Sequence, residues 1–225
     1  MGKSSSNSWQ KRAGRLGRPV LAIVAVLLVA YGSWGLIQWF MATHNPKPVI
    51  SDSVVRHSTD QPDETPPGDA CKDYRVAARQ PRKLELPSLG ISGCIQRVGI
   101  DEANRIAVPP NIHLAGWFVG SSVPGDKGVS IVNGHVQGYY QSAIFKRLNE
   151  VRVGETVRVQ FGDATERDFT IVSVDSYDID RVATEQFRRL DGIDKQLTLI
   201  TCGGFDRKSQ TYQKRILVRA KLKAD

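Results

Sequence analysis

Apolar and polar positions alternate in three different ways along this chain. Val20 to Ala42 reads VLAIVAVLLVAYGSWGLIQWFMA and contains no charged side chain. At ~1.5 Å per helical residue, such a run reaches across a bilayer core of ~30 Å. It predicts a transmembrane signal-anchor helix over residues 19–43. A cleaved signal peptide is the competing reading, with an apolar core of only ~7–15 residues. Val20 to Ala30 alone fits that description, but apolar character resumes at Leu36, which favours an uncleaved anchor. From residue 44 to 80 the pattern vanishes: Pro46, Pro48, Pro62, Pro66 and Pro67 stand among Asp, Ser, Thr and Gln. Such a segment offers too little apolar surface to offset its ordering entropy, and it predicts an extended extracellular tether.

From Pro81 onward the chain breaks into short runs with turn signals between them. Leu84 and Leu86 alternate before Pro87, and Cys94 to Val98 and Gly128 to Val132 are short apolar runs. Val157, Val159 and Phe161 alternate with Thr156, Arg158 and Gln160. Phe169 to Val174, Leu197 to Cys202 and Arg215 to Leu222 complete the set. Seven or eight strands separated by Gly, Pro and Asp turns predict an all-β domain over residues 81–225, a closed or nearly closed barrel. Two short helices are expected, at Gln141 to Leu148 and around Thr184 to Leu190.

The formal charge of +8 suggests a polyanionic partner until it is divided along the chain. Lys3, Lys11, Arg12, Arg15 and Arg18 supply five positive charges in residues 1–18 with no acid, and residues 81–225 carry +4. The excess is mainly a tail property, and no aromatic-basic stripe or nucleic-acid motif accompanies it, so nucleic acid is not the expected partner. Basic residues before the apolar run, with only Lys47 shortly after it, predict a cytoplasmic tail at 1–18 and an exported C-terminal domain. In an oxidising compartment Cys71 and Cys94 become a candidate disulfide pinning the tether to the domain; two independent thiols are the alternative.

The candidate chemistry centres on Leu197-Thr198-Leu199-Ile200-Thr201-Cys202-Gly203-Gly204. A β-rich run that stops at a cysteine and two glycines delivers a thiol to the rim of a sheet. A thiol there is a nucleophile if a basic or cationic neighbour supports its thiolate. His135 ends another run, Ile131-Val132-Asn133-Gly134, and so also lies at a sheet rim. Its imidazole suits proton exchange with a thiol and a leaving amine. Arg215 lies on the run after Cys202, and a polar loop from Gly203 to Thr211 would make the two strands antiparallel neighbours. A fixed cation there could support an oxyanion. The bland alternatives are a turn histidine and a solvent-facing arginine. Period two places Arg215, Leu217, Arg219 and Lys221 on one face of that strand.

These residues carry a resemblance. TLITC followed by GG resembles the TLxTC signature of sortases, membrane-anchored cysteine transpeptidases of bacterial surfaces. VNGH resembles the strand end that bears the family's histidine, and YQKRILVRA the strand that bears its arginine. Val108-Pro109, Ala115-Gly116-Trp117, Pro124 to Gly128 and Ile144 to Leu148 follow in the family's order, so the likeness spans about residues 83–222. It implies the sortase eight-stranded β-barrel, with His135, Cys202 and Arg215 as the triad and Thr201, Ile200 and Val132 as substrate-binding positions. It further implies cleavage of an LPxTG-like sorting signal between Thr and Gly through a thioester on Cys202, then transfer to an amine acceptor of a peptidoglycan precursor. TCGG with the GWF segment resembles class F, and class E less closely. The acidic-Pro-aromatic lid of pilus-building sortases has no counterpart here, which disfavours pilin polymerisation. No cofactor is implied, and no carboxylate cluster suggests a metal. Two rivals remain at this stage. An L,D-transpeptidase-type enzyme is one, although its His and Gly directly before the cysteine are Ile200 and Thr201 here. An anchored binding module with a structural Cys202 is the other.

Overall fold

A computed structural model describes residues 22–36, 50–68 and 70–224 of the protein. Eight strands form a closed barrel: β1 (Pro81–Leu86), β2 (Ile91–Val98), β3 (Ala115–Phe118), β4 (Gly128–Gly134), β5 (Thr156–Phe161), β6 (Glu166–Asp178), β7 (Lys195–Asp206) and β8 (Thr211–Leu222). Their order around the barrel is β1-β2-β3-β4-β7-β8-β6-β5, with β5 pairing back onto β1. Two neighbouring pairs, β2 with β3 and β4 with β7, run parallel, and the others are antiparallel. The barrel is the one expected, but β3 has no alternating signature. All four of its residues are buried because Trp117 faces the barrel interior while Phe118 packs on an outer apolar cluster. A strand covered on both faces loses its period of two.

The helical expectations shift. The Gln141 to Leu148 stretch consists of bends and turns, followed by a short 3-10 turn at Leu148–Glu150. Ile144, Phe145 and Leu148 nonetheless enter the core, so their spacing reported burial rather than a helix. The other helix forms earlier than expected, at Ile179–Glu185.

The interior is filled by Leu84, Ile95, Val132, Phe145, Val159, Phe169, Leu199 and Val218 among others. A second apolar layer covers the outer face, where Ile131, Ile200 and Leu217 meet Val55, Val98, Ala107 and Phe118. Both faces of β4, β7 and β8 are therefore dry where the two layers coincide. Arg219, placed by period two on the same strand face as Arg215 and Lys221, is only 1% exposed. Its guanidinium donates to Asp175 (2.8 Å), to the Tyr177 hydroxyl and to the Glu185 carbonyl and carboxylate (3.0 and 3.2 Å). A buried guanidinium requires such partners. Here they join helix Ile179–Glu185 to β6 and β8.

Residues 50–68 differ from the expected free tether. Val55 is buried and bridges Val98, Asp63 bridges Asn111, and Cys71 is bonded to Cys94 with Cα atoms 5.5 Å apart. Backbone pairing and a covalent link supply what the composition lacks in apolar surface. Helical residues 22–36 carry exposed apolar side chains, including Leu27, Leu28 and Val29. Among the described residues no helix is long and apolar enough to cross a membrane. The basic tail 1–18 and both ends of the expected span 19–43 lie outside the described residues.

The disulfide closes a loop across a sequence separation of 23. By chain entropy, its loss should cost about 3 kcal/mol. Cys71→Ser with Cys94→Ser should therefore lower the urea midpoint, and reductant should reproduce the shift in the wild type. Identical midpoints in all three would contradict this.

Candidate active site

The site begins with the parallel pairing of β4 and β7. Their register runs from Gly128 opposite Lys195 to Asn133 opposite Ile200. Parallel neighbours end at the same edge, so Gly134-His135 and Thr201-Cys202 reach one rim together. The Thr201 hydroxyl is buried and donates to the Gly134 carbonyl at 2.9 Å. It thus ties the residue before the thiol to the residue before the imidazole.

His135 is oriented from outside the sheet. Its Nε2 lies 2.9 Å from the Pro109 carbonyl. A carbonyl can only accept, so Nε2 carries the proton and Nδ1 is the basic nitrogen of the neutral ring. The Asn133 amide donates to the Ala107 carbonyl at 2.9 Å, fastening the segment that presents Pro109. Burial pushes the His135 imidazole below its usual value, opposed by the bond to Pro109.

Cys202 lies directly opposite Arg215 in the antiparallel β7–β8 pair. Residues opposite one another project to the same face. Burial raises the Cys202 thiol above its ordinary value, and the Arg215 charge pulls it back down. Both strands run further than the sequence pattern suggests: the loop is only residues 207–210, not Gly203 to Thr211. The two glycines belong to this extended hairpin. Gly204 has φ +62°, and a Cβ on Gly203 would stand 2.9 Å from the Ile216 side chain. Their freedom serves the hairpin's own packing.

An open cleft of about 340 Å³ lies over the thiol, lined by Cys202, Thr201, Gln137, Lys146, Phe205 and Tyr212 among others. Phe205 and Tyr212 are paired across the hairpin with ring centroids 5.0 Å apart. Burial, and secondarily the nearby Cys202, raise the Tyr212 phenol, which keeps it protonated as a donor. Neither aromatic carried a motif; only the true length of the hairpin would have revealed them. Val132 lies fully in the barrel interior and Ile200 in the outer cluster, both away from the cleft lining, whereas Thr201 lines it. His135 is not in the lining, although Gln137 is. Among the described residues no group of three or more His, Cys, Asp or Glu side chains could hold a metal ion.

A family model described as the Sortase domain matches residues 84–223. The chain belongs to the sortase family. As a sortase it is a cysteine transpeptidase built on an eight-stranded β-barrel, and Cys202 is its free cysteine, outside the disulfide. Solved sortases show the same fold. Sortase C1 from Streptococcus agalactiae is 21% identical, with a TM-score of 0.51 over 70% of this chain and 77% of that one. A lid mutant of sortase A from Corynebacterium diphtheriae is 17% identical, with a TM-score of 0.50 over 70% of this chain and 77% of that one. Sortase C2 of the Group B Streptococcus pilus island 1 is 20% identical, with a TM-score of 0.50 over 78% of this chain and 89% of that one. No curated protein matches the chain.

Two expectations follow for this sortase. Because the Cys202 thiol is raised, its alkylation by iodoacetamide should keep accelerating as pH climbs past 9. Arg215→Ala should move that profile to still higher pH, and an unmoved profile would refute the electrostatic role. Thr201→Val removes the bond to Gly134 while keeping the shape, so turnover should fall about tenfold, with recovery in Thr201→Ser. Equal turnover in both variants would show that the tie is idle.

Proposed function

We propose that this sortase is anchored by residues 19–43, with its tail 1–18 cytoplasmic and its barrel outside the bacterial membrane. It cleaves an LPxTG-like sorting signal between Thr and Gly and joins the released carboxyl end to an amine of the cell wall. The observation that carries the chemistry is the convergence of the β4 and β7 ends at one rim, with Arg215 opposite the thiol. The anchor rests on the uncharged run from Val20 to Ala42 and the basic residues before it. Class F character rests on TCGG and the GWF segment.

The peptide lies in the cleft over Cys202 with the Thr carbonyl at Sγ. The thiol proton passes to His135 Nδ1 as sulfur attacks the carbonyl carbon. The resulting oxyanion is met by the Arg215 guanidinium, carried on the backbone position paired with Cys202. Collapse breaks the C–N bond, and His135 returns the proton to the departing Gly amine. An acceptor amine then attacks the thioester. It forms a new C–N bond, gives its proton to His135, and releases sulfur, which is reprotonated.

Burial raises the thiol and lowers the imidazole, so their neutral forms dominate around neutral pH. The thiolate–imidazolium pair is then a minor form or arises as substrate binds. Secreted proteins bearing the signal are the donors, and a peptidoglycan precursor amine is the acceptor.

The full chain incubated with an LPxTG-type peptide and no acceptor should gain the mass of the peptide up to Thr on Cys202. Cys202→Ala should show no adduct, and Arg215→Ala should slow its formation about 100-fold or more. Cleavage by Cys202→Ala at the wild-type rate would sink the mechanism.

A further inference from the structure

Between His135 and Phe145 the chain makes a loop that brings Gln137 into the cleft. The loop has little apolar support: Tyr139 is 68% exposed and Tyr140 96%. Its own bonds are few, notably Gly138 N–H to the Gln141 carbonyl (2.8 Å) and Phe145 N–H to the His135 carbonyl (3.0 Å). Ile144 N–H also donates to the Ile112 carbonyl (3.0 Å) and Lys146 Nζ to the Gln137 amide oxygen (3.4 Å), while the exposed tip at 139–141 is held by residues ahead of the barrel. The Glu64 carboxylate accepts from three successive backbone amides, those of Tyr139, Tyr140 (3.0 and 3.2 Å) and Gln141 (2.8 Å). A carboxylate in a nest of amides makes charge-assisted bonds, stronger than neutral ones. Gly138 makes room for it, since a Cβ there would stand 2.4 Å from Glu64 Oε1.

Glu64 is itself held independently of the loop. Asp63 N–H donates to the Pro110 carbonyl (2.7 Å), and Ile112 N–H donates to the Asp63 carbonyl (3.0 Å). The Asn111 amide donates to the Asp63 carboxylate (3.0 Å) and the Thr65 carbonyl (2.9 Å), and His113 Nε2 donates to the Glu64 carbonyl (3.1 Å). A second contact reinforces the crossing, the Tyr139 hydroxyl donating to the Asp60 carbonyl at 3.0 Å. The partners at 110–113 directly follow Pro109, whose carbonyl orients the His135 ring. One short stretch of backbone therefore references both the imidazole and the strap.

We propose that Glu64 is a positioning residue of the transpeptidase. Its carboxylate holds the loop 137–142, and through it Gln137 and the chain leaving His135, in the geometry the cleft requires. The catalytic unit accordingly begins with the strap Asp60 to Thr65 and not with β1. This rests on the transpeptidase reading above for its activity readout, but not for its structural one.

The test compares full-length wild type with Glu64→Gln and Glu64→Ala by amide hydrogen exchange, and by kcat and KM for an LPxTG-type peptide. In Glu64→Ala, exchange across 138–141 should rise at least about tenfold while β7 and β8 keep wild-type protection. kcat should fall about 10- to 100-fold with KM nearly unchanged, because misplacement of catalytic groups penalises the reacting geometry. Glu64→Gln, which keeps the shape but loses the charge, should lie between. Unchanged exchange at 138–141, faster exchange with wild-type kcat, or equal loosening of the strands in both variants would each overturn the proposal. If the wild type itself forms no peptide adduct, the functional reading fails, while the exchange comparison still decides what Glu64 holds.

Discussion

The site depends on the parallel pairing of β4 with β7. Two antiparallel neighbours would send their C-terminal ends to opposite edges, and the thiol and imidazole would be separated by the height of the barrel. Parallel pairing needs a long crossover, and here β5 and β6 lie between β4 and β7 in the chain. The bond from Thr201 to the Gly134 carbonyl then sets the two ends against each other at the last position before the reactive residues. Because β8 is antiparallel to β7, it returns the guanidinium of Arg215 to the same place. Three residues spanning 80 positions of sequence are brought to one rim through the register of three adjacent strands.

The same packing that assembles these groups also suppresses their charges. Burial favours neutral thiol and neutral imidazole, and Arg215 only partly offsets it at the thiol. Orientation is supplied from outside the barrel sheet. Pro109 fixes which imidazole nitrogen is basic, and Glu64 holds the loop that leaves His135. Arg219 links helix Ile179–Glu185 to the strands beneath it. Segments between and ahead of the strands thus take their shape from polar contacts across the chain.

Much of this was legible in order along the chain. Strand runs ending in NGH and TCGG placed a histidine and a cysteine at sheet rims, because an apolar run terminated by glycine reads locally. The alternation in β8 correctly separated Val218 and Ala220, which face the interior, from Arg215 on the other side. The pattern was weakest where burial is two-sided. β3 shows no alternation, and period two groups the buried Arg219 with the exposed Lys221. The turns at residues 141–148 mimic a helical period because Ile144, Phe145 and Leu148 are spaced for burial alone.

By itself, then, the sequence determined the strand-rich domain, the reactive residue types and the strand ends that carry them, since these follow from local periodicity and breakers. Only the tertiary structure decided that residues 50–68 lie on the barrel, that Phe205 and Tyr212 flank the thiol, and that Glu64 reaches the loop after His135. The contacts of residues 50–68 join positions far apart in the chain largely through backbone amides and carbonyls, which every residue possesses and no composition reveals. The two glycines after Cys202 show the same division: the sequence marks a place needing freedom, and the folded hairpin shows that Ile216 and a left-handed turn of backbone require it.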